Sequence, residues 1–375
     1  MKPFVPFLAF VCCFAAVSLR AAEMRTWTSG KFKAEAGYMP AGSPETGGIV
    51  DLALIYQGGV HRIDWTKEQF GPYLTWSNPK TQKEEWLFDG FLFIEFKSNT
   101  GHMYAKGYGA KPSTKADQLW YLDRVFEKEK SVHALDSALG EVIGRLGPPP
   151  LPRRVVLTLP EPIVATENWG ELDGKPLDFK KTEDRLAAVT WFMERLTKRW
   201  NESNFNHLEL AGFYWVAESM GPDDQELMNL IGTEIRKRGK RFYWIPYWGA
   251  RGNGQWRELG FDVAYQQPNF FFKLEVPESR IPTACQFAKE HGMGMEMEWD
   301  ERLMSRTEEY APKMQGYLDG FEEAGVWATA AAAHYMAGHG IINLSKSKDP
   351  VVAGFYQRLC TILAQRQKMF AMRVH

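Results

Sequence analysis

The chain has 375 residues, 45 of them Lys or Arg and 46 Asp or Glu. That near-zero charge, with no Lys/Arg cluster, excludes nucleic acid as an expected partner. Four cysteines are too few for a disulfide scaffold.

The first residues read as a secretory signal peptide. Lys2 supplies a positive start, Phe4 to Val17 is an apolar run of signal length, and Ala21 and Ala22 offer small residues for cleavage. Arg20 is an unusual residue at that point. The expected segmentation is therefore a signal peptide over 1–21, an irregular Gly- and Pro-rich arm over 22–48, and one domain over 49–375, secreted or periplasmic. No later apolar stretch is long enough to span a bilayer, so no stable membrane span is expected after cleavage. Cys12 and Cys13 fall in the apolar run, which leaves Cys285 and Cys360 able to pair in an oxidising compartment.

From residue 49 short apolar runs alternate with longer amphipathic stretches. The strand candidates are 49–56, 91–96, 155–159, 211–217, 242–247, 263–267, 293–299 and the Ala-rich 326–334. Helices are expected over 114–144, 183–200, 223–238, 277–291, 307–325 and 350–368, with a short one near 66–73. The crossover at 248–260 is too short for a full helix. Pro148 to Pro152 is a rigid connector that feeds the third strand. Eight strands separated by helices predict an α/β fold, a (β/α)8 TIM-like barrel. A doubly wound open sheet is the alternative, but no Gly-x-Gly-x-x-Gly follows the first strand.

In such a barrel the active site gathers at the C-terminal strand ends. The fourth strand runs into Glu218. The seventh carries Glu296 and Glu298 two residues apart, hence on one face. Buried carboxylates are costly, and two on one inward face are expected only where a site needs them. Met293, Met295 and Met297 allow the opposite reading, with the glutamates outward. Glu218 could equally cap the following helix. The combination fits glycoside hydrolysis, which sets two carboxyl groups about one glycosidic bond. Tyr56, Trp215, Tyr247, Trp248, Gln267, Asn269 and His334 are candidate substrate-binding residues by position, as rings for stacking or polar groups for sugar hydroxyls. A turn role for Asn269 and a structural role for His334 are the plain alternatives.

No metal site or cofactor motif is expected. Glu296, Glu298 and Asp300 would be strung over roughly 13 Å of one strand, a poor cage for an ion.

The layout resembles the large clan of (β/α)8 glycosidases, in which the acid/base ends the fourth strand and the nucleophile the seventh. That resemblance implies Glu218 as acid/base and Glu298, or else Glu296, as nucleophile. Where the clan has Asn before the fourth-strand Glu, this chain has Ala217. A nearer likeness rests on Gly212-Phe213-Tyr214-Trp215, Trp244-Ile245-Pro246-Tyr247, Leu259-Gly260-Phe261-Asp262, Gln267-Pro268-Asn269-Phe270-Phe271 and the glutamate pair ending in Asp300. In these the chain resembles a bacterial extracellular family of unknown function with glycosidase-like barrels. It implies a barrel-like fold and a cell-envelope carbohydrate setting, and supplies no particular substrate. Three functions follow: a glycoside hydrolase, a carbohydrate-binding or scaffold protein without chemistry, or a lyase or metal-dependent hydrolase on the same barrel. Sugar, linkage and oligomeric state have no signature in the sequence.

Overall fold

The computed structural model describes residues 35–57, 64–222 and 224–374. The expected signal peptide and the start of the arm lie outside the described residues.

Eight parallel strands close into a barrel: β1 (Asp51–Tyr56), β2 (Gly90–Ile94), β3 (Arg153–Leu159), β4 (Leu208–Trp215), β5 (Arg241–Trp244), β6 (Val263–Gln266), β7 (Gly294–Glu298) and β8 (Ala332–Tyr335), with β8 pairing back onto β1. The main helices between and after them are α1 (Lys67–Leu74), α2 (Lys115–Val125), α3 (Ser131–Leu146), α4 (Thr182–Ser203), α5 (Asp224–Lys237), α6 (Arg280–His291), α7 (Thr307–Glu323) and α8 (Pro350–Val374). The fold is the expected (β/α)8 barrel. Among the described residues no helix is long and apolar enough to cross a membrane.

Two expectations change. The helix predicted over 114–144 is two helices, α2 and α3. Its midpoint is held open by tertiary contacts: the Ser131 N–H donates to the Trp65 carbonyl at 3.0 Å, and Lys130 pairs with Asp64 at 2.7 Å. The eighth strand starts later than its apolar run. Val326–Thr329 forms a helical turn after Gly325, and the Ala-rich segment extends only where β1 and β7 flank it. Between β5 and β6 there is only a 3-10 turn, Asn253–Gln255, and the fully buried Trp256 packs beside it. Cys285 and Cys360 are both buried and unpaired.

Alternation along paired strands decides what enters the barrel. Leu54 and Tyr56 of β1, Ile94 of β2, Tyr214 of β4, Glu296 and Glu298 of β7, and Tyr335 of β8 line the interior cavity. The intervening residues face the helices, Met295, Met297, Trp215 and His334 among them. One irregularity sets the phase of β4. Val155 pairs with Leu210 but Val156 with Gly212, so Ala211 is an extra residue. Gly212 is required there, since a Cβ would lie 2.0 Å from the Arg241 carbonyl oxygen.

The arm closes the N-terminal end of the barrel. Met39 exchanges backbone bonds with Met293 (3.1 Å) and Ala331 (2.9 Å), Tyr243 donates its hydroxyl to Thr46 O at 3.0 Å, and Arg154 donates to Gly48 O at 3.0 Å. Gly47 turns there with φ of 61°, and a Cβ on it would meet the Tyr243 hydroxyl at 2.5 Å.

At this closed end Arg366 of α8 is fully buried between sheet and helix. Its Nε donates to both Asp51 oxygens (3.1 and 2.9 Å), and its Nη atoms donate to the carbonyls of Val50, Trp327 and Ala330. Asp89 accepts the N–H groups of Val50 and Asp51 at 2.9 and 2.8 Å. These bonds fasten the starts of β1, β2 and β8 to the last helix. Removing one member of a buried pair strands the other, at a cost of about 3–5 kcal/mol. Asp51→Ala is expected to lower stability by that amount in equilibrium chemical denaturation, and Asp51→Ala with Arg366→Met to recover much of it. An Asp51→Ala loss below about 1 kcal/mol would show the knot to be incidental.

Candidate active site

Among the described residues the arm plugs the N-terminal end, and the interior cavity lies where the strands end. The cavity there has a volume of about 510 Å³, within the range of small-ligand clefts. Tyr56, Phe96, Tyr108, Tyr214, Phe272 and Tyr335 supply rings to its wall, and Glu95, Glu218, Glu296 and Glu298 supply carboxyl groups. Among the described residues Lys97 is the cation on this lining.

Glu298 ends β7 and is 1% exposed. It accepts three hydrogen bonds, from Tyr317 Oη of α7 at 2.6 Å, the Asn269 backbone N–H at 2.7 Å and Asn269 Nδ2 at 3.2 Å. Burial pushes its pKa up to about 7, against the opposing pull of those donors. Glu296, one layer deeper, is driven well above the ordinary carboxylate range by burial first, and then by the charges of Glu298 and Glu218. Its Oε1 is buried, with no hydrogen-bond partner among the described residues. Burial and its acidic neighbours thus favour the protonated form of Glu296. Glu218 lies past the end of β4, half-buried at the mouth. Its Oε1 accepts from Gln267 Nε2 at 2.8 Å and its Oε2 from the Tyr108 hydroxyl. Burial raises its pKa, and these two donors oppose the rise.

The two flanking carboxyl groups are joined by a chain of amides. Gln267 donates to Glu218 and to Ile245 O (3.0 Å), while its Oε1 accepts from Asn269 Nδ2 at 3.0 Å. That same Nδ2 reaches Glu298, and Asn269 Oδ1 accepts the Trp248 N–H at 2.6 Å. Asn269 achieves this in the left-handed region, with φ of 48°, a conformation Asn tolerates. Both amides are therefore engaged in holding carboxyl groups, a use beyond the sugar contacts, or the turn role of Asn269, that the sequence suggests.

Tyr56 also lines the cavity. Four other expected substrate contacts do not. Trp215 faces outward from β4 and is 1% exposed, packing edge-on against Phe242. His334 faces outward from β8, with Nε2 at 3.0 Å from Asp51 in the Arg366 knot. Trp248 is half-buried beneath Arg280, 5.0 Å from its ring centre. Tyr247 is 40% exposed beside it and outside the cavity lining. Asp300 is held by Arg302, at 2.6 Å from Nη2, and does not join Glu296 and Glu298. Tyr108 and Tyr317 were missed. Each comes from outside the strand ends, one on a loop and one on a helix, and no local pattern marks either.

The fold defines the class: a (β/α)8 barrel with an acidic, ring-lined mouth. Residues 51–361 match the family described as Domain of unknown function (DUF4855), and the chain belongs to that family. No curated protein matches it in sequence. Among solved structures it is similar to the chitinase ChiB of Flavobacterium johnsoniae (9% identity, 83% of this chain and 94% of that one, TM-score 0.40). It is also similar to a putative α-L-fucosidase of Bacteroides thetaiotaomicron (11%, 86% and 96%, TM-score 0.42) and to a mutant tryptophan synthase α-subunit of Pyrococcus furiosus (10%, 87% and 99%, TM-score 0.36). Likenesses this distant carry no chemistry from one barrel to another.

The buried carboxyl groups predict a pH dependence of stability. A carboxyl whose folded pKa is raised binds its proton more tightly folded than unfolded. Its contribution is fully present below the ordinary value of 4.5 and is lost as the pH rises through about 7. Melting temperature is expected to fall between pH 5 and pH 8, and Glu298→Gln to flatten that fall. Identical profiles for both proteins would contradict the assignment.

Proposed function

We propose that this protein is a glycoside hydrolase acting on a polysaccharide or oligosaccharide, with Glu218 as proton donor and Glu298 as the group that attacks the anomeric carbon or activates water there. The observation that carries the reading is the joining of these two carboxyl groups, both on the wall of one cavity, through Gln267 and Asn269. Glycosidic cleavage needs a carboxylic acid on one side of the bond and a carboxylate on the other. Three donors on Glu298 favour its anion. Glu218, nearer the mouth with two donors, is the better placed to give a proton to the departing oxygen. The rings of Tyr56, Phe272 and Tyr335 offer faces for sugar stacking. We further propose, from the first 22 residues, that the protein works outside the cytoplasm.

In a screen of polysaccharides and aryl glycosides, Glu298→Gln is expected to lower kcat by a factor of about 10³ or more. Glu218→Gln should be nearly inactive on natural glycans and keep much of its rate on aryl glycosides whose leaving group needs no proton. The acid limb of kcat/KM for the wild type should fall near pH 7, where Glu298 gains its proton. A wild type that binds glycans without cleaving any, and a Glu298→Gln variant that binds equally well, would establish a binding protein instead.

A further inference from the structure

The donors on Glu218 come from two unlike places. Gln267 belongs to the immediate extension of β6. Tyr108 belongs to the loop between β2 and α2, far from any barrel strand in sequence. Accepting the reading of Glu218 as proton donor, we propose that Tyr108 is a positioning residue for it: the phenol clamps Oε2 while Gln267 clamps Oε1, fixing the plane of the carboxyl group at the cavity mouth.

The loop is constructed to hold that hydroxyl. Glu95 Oε1 accepts the N–H groups of Phe96 and Lys97 at 2.8 and 3.2 Å. Glu161 accepts the Lys106 N–H at 2.7 Å, and its own N–H donates to Tyr104 O at 2.8 Å. Asp117, in the first turn of α2, takes His102 Nδ1 at 2.8 Å and Thr100 Oγ1 at 2.9 Å. Three carboxylates thus pin the loop before and after its turn, and Tyr104 and Ala105 beside Tyr108 are fully buried. The Tyr108 ring lies on Phe96, with centres 4.1 Å apart and planes 18° from parallel. A loop fastened at so many points delivers one side chain to one place, at an ordering cost met by its own bonds.

The phenol also bears on the charge of Glu218. Facing that carboxyl are Tyr214 of β4, Glu296 and Glu298 of β7, and Tyr108 itself, with Glu95 and Lys97 on the same cavity wall. Burial works against its ionisation. Tyr108 and Gln267 are the groups that work for it. Loss of the Tyr108 hydroxyl therefore moves the acid in one direction, toward a firmer hold on its proton.

Tyr108→Phe tests this, because it deletes the hydroxyl and keeps the ring on Phe96. In the full chain labelled with ¹³C at glutamate carboxyls, the Glu218 resonance is identified by its loss in Glu218→Gln. Its titration midpoint is expected to rise in Tyr108→Phe by on the order of one unit. An unmoved midpoint overturns the proposal, and this readout needs no turnover. If the wild type hydrolyses nothing while the midpoint still moves, the clamp stands and the glycosidase reading fails. Where hydrolysis is seen, Tyr108→Phe should lower kcat on glycans about tenfold and shift the basic limb of the rate profile upward. In a Glu218→Gln background, measured on activated aryl glycosides, it should add no further loss. An equal loss in both backgrounds would show that Tyr108 does not act through Glu218.

Discussion

The cost of taking three carboxyl groups out of water at one end of a closed barrel organises the rest of this structure. A buried, unpaired carboxylate is not tolerated in a folded protein, so each must lose its charge or acquire donors. The chain uses both answers. Glu296, deepest and, among the described residues, without a partner on Oε1, is pushed by burial toward its neutral form. Glu298 gathers a phenol, a backbone N–H and an amide. Glu218 gathers a phenol and an amide. Each donor has to be brought in by some other element, and those elements define the mouth: the extension of β6 with its left-handed Asn269, helix α7 with Tyr317, and the pinned loop with Tyr108.

The two ends of the barrel solve opposite problems. At the closed end, charge is neutralised by charge: Arg366 sits on Asp51, Asp89 caps the first strand, and the arm lays backbone across the opening. At the open end acidic groups dominate the wall, and their donors are mainly neutral. A buried ion pair is inert so long as it remains paired. A carboxyl group held by neutral donors near its point of ionisation is able to exchange a proton, which is what acid–base chemistry requires. This contrast separates the scaffold from the site within one continuous core.

Side-chain parity is the means by which a single sheet builds both. Glu296 and Glu298 share the inward face of β7, and the methionines between them pack under the helices. On β8 the same alternation sends Tyr335 into the cavity and His334 into the outer layer, onto Asp51. On β4 the extra Ala211 sets the phase that turns Tyr214 in and Trp215 out. The aromatic richness of the chain is accordingly divided. Trp215, Trp244, Trp256, Trp299 and Trp327 are fully buried packing residues, whereas the cavity wall is furnished by Tyr and Phe.

The sequence by itself determined the eightfold alternation of strands and helices, the placement of Glu218 at the end of the fourth strand, and the shared face of Glu296 and Glu298. These are properties of local period, and period is written in the order of residues. It did not determine whether that face turned inward, since methionines and glutamates alternate and either face was a reasonable interior. Nor did it disclose that Gln267 and Asn269 hold carboxyl groups, that Trp215 and His334 look away from the cavity, or that the arm plugs the barrel. Tyr108 and Tyr317 were invisible for the same reason. Each meets its carboxyl group across an interval of chain, 110 residues for Tyr108 and Glu218 and 19 for Tyr317 and Glu298. Only closure of the barrel brings those partners together, because desolvation and hydrogen bonding act through space and leave no periodic trace along the chain.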